Sequence, residues 1–490
     1  MSRPRPRRLT APPGAARVRP MWGMLVAALL ACLLVPGVRA QESGAGQAFT
    51  VTSSSKEAVQ HFWMAWDELN NVNPAGAVPH LQQAMSLDPS FGLAHVLYGF
   101  GAPGLSPDER NGEIERGMEM LKDAPAQEMF LALSWREWNA GRRPGAIAAT
   151  HAAAELAPKE ARLAFQLAQL TAPGSPGSDQ IANMRTIVQD HPDFAPAYNN
   201  LAYASWAAGD HDGALAAVRK YAELRSDHPN PHDSYAELLQ WNGQYDQAAA
   251  EYRKALEIDP SFYEASMGLA ELSWLAGKHE EARSHIKDAL ATAPQGTPRV
   301  QVERALAHAY LMDGKSREAM SGLTAAARDA EASGNKGLAA AIHHELAVAD
   351  AMLDKGEGLD DHLSVAAALG GADTPGHQAW TALAYSSANR SEAGAALDRL
   401  ETTGAGNAGL LSLARTGRAM MLHNAGQHEE ALTVLGEPGD DMGRSVEATC
   451  LKSMKRGTEA KKMKADLMGN PNFSFYDAVR SLAVLRISKV

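Results

Sequence analysis

Cysteine is almost absent: Cys32 and Cys450 are the two in the chain, neither in a CxxC pair, and Cys450 has no nearby histidine or aspartate in sequence. No internal disulfide can form once an N-terminal segment bearing Cys32 is removed. Nor is there a phosphate-binding P-loop or a G-x-S-x-G nucleophile elbow. Acidic residues are missing from residues 1–40, and basic ones are outnumbered thereafter. Removing residues 1–40 takes away seven of the 46 basic residues and none of the 57 acids, leaving a formal charge of −18. Such a chain repels phosphate backbones, so nucleic acid is not an expected partner. Stability has to come from apolar burial, for which 45% hydrophobic residues in a long chain suffice.

The N-terminus has its own character. Residues 1–20 carry six arginines, and the run MWGMLVAALLACLLVPGV then leads to Val38-Arg39-Ala40. A basic head, a short apolar stretch and small residues around a cut describe a secretory signal peptide cleaved after Ala40. Two alternatives are an uncleaved anchor, for which the run is marginal in length, and lipid attachment at Cys32 in Leu29-Leu30-Ala31-Cys32. The expected location is therefore periplasmic or extracellular, with no membrane contact beyond this segment unless it is retained or lipidated. Residues 41–56 read as a flexible tether, with Ser54 and Glu57 spaced as a capping box for the first helix.

What the chain has in abundance is repetition. WNGQYDQAAAEYRKALEIDP (241–260) returns 34 positions later as LAGKHEEARSHIKDALATAP (275–294), keeping glycine, alanine and proline while the charges drift. Gly141, Gly209, Gly243, Gly277, Gly314 and Gly426 each separate two helical stretches. Seven residues before them stand Ser134, Ala202, Ala236, Ala270, Ala307 and Ala419; five after stand Ala146, Ala214, Ala248, Ala282, Ala319 and Ala431. Helices approach to about 8–10 Å only where small side chains face each other. Glycine supplies the left-handed turn between them, and Pro89, Pro158, Pro260 and Pro294 stop the second helix. A hairpin of this kind buries its apolar stripe only by stacking on neighbours.

In period, turn glycine, small contact residues and terminal proline, the sequence resembles the tetratricopeptide repeat family. The resemblance implies an all-α fold, a right-handed superhelical solenoid of antiparallel helix pairs. The match is close at 229–294, good in several other stretches, and worn in 334–400; roughly ten to twelve pairs fit the length. Residues 57–192 read as N-terminal repeats, 193–330 as central repeats, and 331–490 as degenerate repeats with a capping helix. In residues 58–89 Val72 stands where the turn glycine belongs, and the amphipathic FSFYDAVRSLAVLRISKV reads as the cap on the open end.

Catalytic and metal chemistry is not expected. Gly99-Phe-Gly101-Ala-Pro-Gly104 and Gly404-Ala-Gly406-Asn-Ala-Gly409 fit G-x-G-x-x-G but follow helices, whereas a dinucleotide site needs a strand. His343-His344-Glu345 lacks the second histidine of a zinc helix, Val348 standing in its place, and reads as surface or groove histidines. Cys450 reads as a small core side chain. No cofactor or metal is expected.

The working surface is expected on the first helices, where positions ten, six, three and two before the turn glycine share a stripe. The family resemblance places that stripe on the concave side. Phe62, Trp66, Trp135, Trp138, Tyr203, Trp206, Trp241 and Trp274 lie on it, interleaved with Asn199, Asp233, Glu237, Met267, Glu271, Arg304 and His308. Tryptophan there either fills the seam between adjacent helices or meets a ligand. Some relatives clamp a carboxylate with Lys, Asn and Arg; here Asn199 matches one element, but Asp233, Glu237 and Glu271 replace the cations. The expected partner is a protein or peptide with basic and hydrophobic residues, with a glycan or small molecule, or a purely structural role, as alternatives. The basic run Lys452–Lys464 reads as a solvated face.

Overall fold

The computed structural model describes residues 49–171, 178–353, 356–438, 440–469, 474–475 and 477–487. The expected signal segment lies outside them. All regular structure among the described residues is α-helical. Among the described residues twelve antiparallel pairs follow one another: Lys56–Asn70 with Pro74–Leu87, Gly92–Gly101 with Pro107–Met120, Ala126–Asn139 with Arg143–Leu156, and Ala161–Thr171 with Ser178–Asp190. Next come Ala195–Ala207 with His211–Leu224, Pro229–Trp241 with Tyr245–Ile258, Tyr263–Leu275 with His279–Thr292, and Thr297–Met312 with Ser316–Ala332. The last are Lys336–Leu353 with Leu359–Gly370, Pro375–Ser387 with Ala393–Thr403, Ala408–Asn424 with His428–Leu435, and Asp441–Ser453 with Gly457–Met468, before a final helix, Ala478–Ile487. Each second helix packs on the next first helix, and first helices touch one another along the inner side, which is the two-layered stack of a solenoid.

The crossing points are where the repeat placed them. All twelve small side chains flanking the six turn glycines are buried. The glycines themselves have φ between 70° and 84°, and the second helices ending at Leu87, Leu156, Ile258 and Thr292 each stop two residues before a proline. Lysine, asparagine and valine take the same turn elsewhere: Lys455, Asn389 and Val72 all have positive φ. Asparagine tolerates it; a β-branched side chain there is strained.

Three features depart from expectation. The described part of residues 41–56 is held against the solenoid. Phe49 buries its ring beside Trp63 and Trp66, Thr52 bonds Glu128, and Ser53 and Ser54 donate to Asp88 at 2.6 and 2.8 Å. Burial pushes Asp88 up, but these bonds and those from Ser90 outweigh it and hold its carboxyl well below the usual range. Because Ser54 is drawn to Asp88, the cap moves on one residue: Ser55 accepts from Ala58 N–H at 3.1 Å. The third is the final helix. It does not merely close the end but folds back inside the curve, packing on Asp441–Ser453, Thr297–Met312 and Lys336–Leu353, with Leu482, Ala483 and Val484 buried.

Val72 is 61% exposed and has no packing role to offset its φ of 60°. Val72→Gly is expected to stabilise the N-terminal repeats by about 1 kcal/mol, measured as a rise in the urea midpoint of their unfolding; a lower midpoint would contradict the strain.

Candidate functional site

The predicted stripe divides into three parts. At the N-terminal end, Phe62, Trp66 and Trp135 are core: Trp66 meets Trp135 edge-on at 5.1 Å, and Phe62 packs on Phe91 at 5.3 Å. The indole N–H of Trp135 donates to Gln166 Oε1 at 3.0 Å, and Gln166 in turn donates to Ser134 and Thr150. A buried indole is thus satisfied locally, as a packing residue requires. Trp138, 38% exposed, instead borders a cavity of about 220 Å³ together with Asn199, whose buried Oδ1 accepts no hydrogen bond.

The middle part forms the most distinctive site. A cavity of about 480 Å³ opens between Pro229–Trp241 and Tyr263–Leu275, walled by Trp206, Trp241 and Tyr252 and edged by Asp233, Glu237, Glu264 and Glu271. Trp206 and Trp241 stand 5.7 Å apart, and Trp206 stacks on His211 at 4.1 Å, which fixes its plane. Gly268 makes room for Tyr252: a methyl group at that position would overlap the phenol ring. No basic side chain forms an ion pair with any of the four carboxylates among the described residues. Tyr203 donates to Glu237, and Gln240 donates to Glu271 at 3.1 Å. Burial raises all four, with mutual repulsion adding for Asp233, and pushes Glu271 up to about 7.

The third part is covered by the chain's own C-terminal segment. The Phe475 ring meets Trp274 edge-on at 5.6 Å, its N–H donates to Glu271 at 3.3 Å, and its carbonyl accepts from His308 Nδ1 at 2.7 Å. His308 also faces Glu345 at 2.9 Å, and Arg304 pairs with the same carboxylate. Burial pushes Glu345 up, but His308 and Arg304 outweigh it and hold it low. Glu271, Trp274 and His308 therefore seat a segment of the same polypeptide, Arg304 supports the Glu345 that faces His308, and Met267 lines the central cavity.

His343 and His344 are not surface residues. Both are buried, His343 facing His362 at 3.0 Å and His344 facing His377 at 2.9 Å. Cys450 is buried as expected, yet it has the histidine setting its sequence neighbourhood lacks: His423 Nδ1 lies 3.3 Å from its sulfur. Burial pushes the Cys450 thiol up to about 11 and His423 down to about 4. The meeting of His423 with His428, though not with Cys450, has a sequence signal. Trp206 and His211, Trp274 and His279, and His423 and His428 each sit three before and two after a turn glycine, and each pair of rings meets.

Comparison with known proteins finds similarity in the repeats. Residues 181–229 and 242–304 each match a family model described as tetratricopeptide repeat. These two segments are tetratricopeptide repeats. Among solved structures, the chain is similar to the tetratricopeptide protein TTC0263 of Thermus thermophilus, at 21% identity over 38% of this chain and 99% of that one (TM-score 0.33). It is similar also to MamA, at 22% identity over 33% of this chain and 94% of that one (TM-score 0.29). A third is YrrB, described as a tetratricopeptide protein with an unusual peptide-binding site, at 14% identity over 37% and 92% (TM-score 0.28). No curated protein matches the chain. Among the described residues no helix is long and apolar enough to cross a membrane.

The elevated Glu271 has a sign that can be checked within these tetratricopeptide repeats. The folded state keeps its proton up to about pH 7, whereas the unfolded chain releases it near 4.5, so stability falls as pH rises through that window. Glu271→Gln is expected to be more stable than the parent by about 1–2 kcal/mol at pH 8, with the gap closing toward pH 4.5. Urea unfolding followed by tryptophan fluorescence at the two pH values measures it, and a gap that does not change with pH contradicts the assignment.

Proposed function

We propose that this protein is a non-catalytic scaffold whose inner surface, between Trp138 and Glu271, holds an extended segment of a protein partner with basic and hydrophobic side chains. The observation that carries this reading is the central cavity, where four carboxyls with no basic ion-pair partner among the described residues surround a space walled by aromatic rings. An arginine or lysine entering it would draw these carboxyls into their ionised form and meet ring faces that attract cations. The surface also suits polypeptide backbone. Glu271 and His308 already bond the amide and carbonyl of Phe475, while Trp274 receives its ring. The tail occupies the C-terminal stretch of the trough, so the partner lies N-terminal to it, over Trp206 and Trp241 and onward to Trp138 and Asn199.

Synthetic peptides alternating Arg with Phe or Leu, titrated into the full chain, test the reading. Asp233→Asn with Glu237→Gln is expected to weaken their binding at least about tenfold, or about 1.4 kcal/mol, and to lower its salt dependence without loss of melting temperature. Unchanged affinity in the double variant, or binding of oligosaccharides in place of the peptides, overturns it.

Export belongs to the same proposal, on the strength of the basic head and apolar run of residues 1–40. Mass spectrometry of the protein from its native source is expected to find an N-terminus at Gln41; an intact or lipid-bearing N-terminus contradicts cleavage there.

A further inference from the structure

Near the end of the solenoid, three side chains from three helices converge. His423 closes Ala408–Asn424, His428 opens His428–Leu435, and Cys450 lies on Asp441–Ser453. One ligand-capable atom of each lies within 4.8 Å of the other two, the one such group of three or more among the described residues. Bonds of about 2.0–2.1 Å to nitrogen and 2.3 Å to sulfur make the edges of a tetrahedral zinc site roughly 3.4–3.6 Å. The 3.3 Å between His423 Nδ1 and Cys450 Sγ is close to such an edge, and the His428 nitrogen, within 4.8 Å of both, has to approach further to complete the set.

A second observation points to a missing partner. Nδ1 of His428 is buried and makes no hydrogen bond, although buried ring nitrogens ordinarily find one. The turn around Gly426 explains how the two imidazoles meet. Its φ of 83° reverses the chain between them, bringing the rings to 4.8 Å. Elsewhere in the solenoid the same turn stacks tryptophan on histidine at 4.1 and 3.9 Å, a contact that leaves no pair of nitrogens. At Gly426 a second histidine replaces the tryptophan, with a thiol beside it.

We propose that His423, His428 and Cys450 form a binding site for a borderline or soft d¹⁰ cation, Zn²⁺ or Cu⁺. Two neutral imidazoles and a thiolate are the ligand set these ions favour over the oxygen-seeking Mg²⁺ and Ca²⁺. The thiol loses its proton as the metal–sulfur bond forms, so binding releases one proton to solvent. His423 also borders a cavity of about 490 Å³ lined by Ser387, Asn424, Thr449, Lys452 and Arg486, so the fourth position is left to water or an anionic ligand that would balance these cations. The site joins the last two repeats, so the ion ties Ala408–Asn424 to Asp441–Ser453. It departs from the expectation of no metal and is independent of the peptide groove.

The test uses the full chain, stripped with a chelator and titrated with Zn²⁺, and with Co²⁺ as a spectroscopic stand-in. One equivalent is expected to bind, with release of one proton, a thiolate-to-cobalt charge-transfer band and a higher melting temperature. Cys450→Ser should abolish the band. His428→Ala, at a half-buried helix start where misfolding is not expected, should weaken Zn²⁺ at least about tenfold. Absence of stoichiometric binding, or equal binding by both variants and the parent, overturns the site; a parallel Cu⁺ titration that saturates where Zn²⁺ does not assigns it to copper.

Discussion

Two helices lie against each other only where the facing side chains are small, and everything else in this protein hangs on that contact. Ala236 with Ala248, or Ala270 with Ala282, sets the distance within a hairpin, and the left-handed glycine between them sets its return angle. Once the hairpins have one shape they stack in one way, and the first helices are forced side by side along the inner curve. The trough is therefore a by-product of helix contact, and its lining is whatever the first helices carry on their free side.

That lining changes along the chain. Near the N-terminus aromatic rings close the seam: Trp66 packs on Phe62, Trp135 and the docked Phe49, so the open inner surface there narrows to the cavity beside Trp138. In the middle Trp206 and Trp241 still touch but wall an open cavity, edged by carboxyls with no basic ion-pair partner among the described residues. Farther on the protein supplies its own filling in Phe475 and the helix behind it. Burial favours the protonated form of these middle carboxyls, and a basic guest would shift them back toward the ionised form.

How much of this was legible follows from range. The turn glycines, the buried alanines and the prolines after the second helices are local rules, each set by residues within a few positions, and the structure places them where spacing did. Val72 and Lys455 show the limit of reading glycine alone, since stacking forces the turn on residues that do not favour it. The tail's position was not legible, because Phe475 meets Glu271 and His308 across 204 and 167 residues, and an amphipathic stripe does not state which surface receives it. Neither was the setting of Cys450, whose histidines lie on an earlier hairpin. The aromatic stripe was legible as a stripe; which of its rings are packed and which border open cavities depends on neighbours from other repeats.

A stack of hairpins in which each unit touches only the next can be built in any order and frayed from either end. The return of Phe475 and its helix into the trough removes that freedom here. The central hairpins, complete in themselves soon after synthesis, acquire their final contacts only when the last stretch of chain has left the ribosome. Repeats far apart in sequence are thereby coupled, and closing contacts across 204 and 167 residues carries a loop-closure entropy that neighbour-to-neighbour stacking does not.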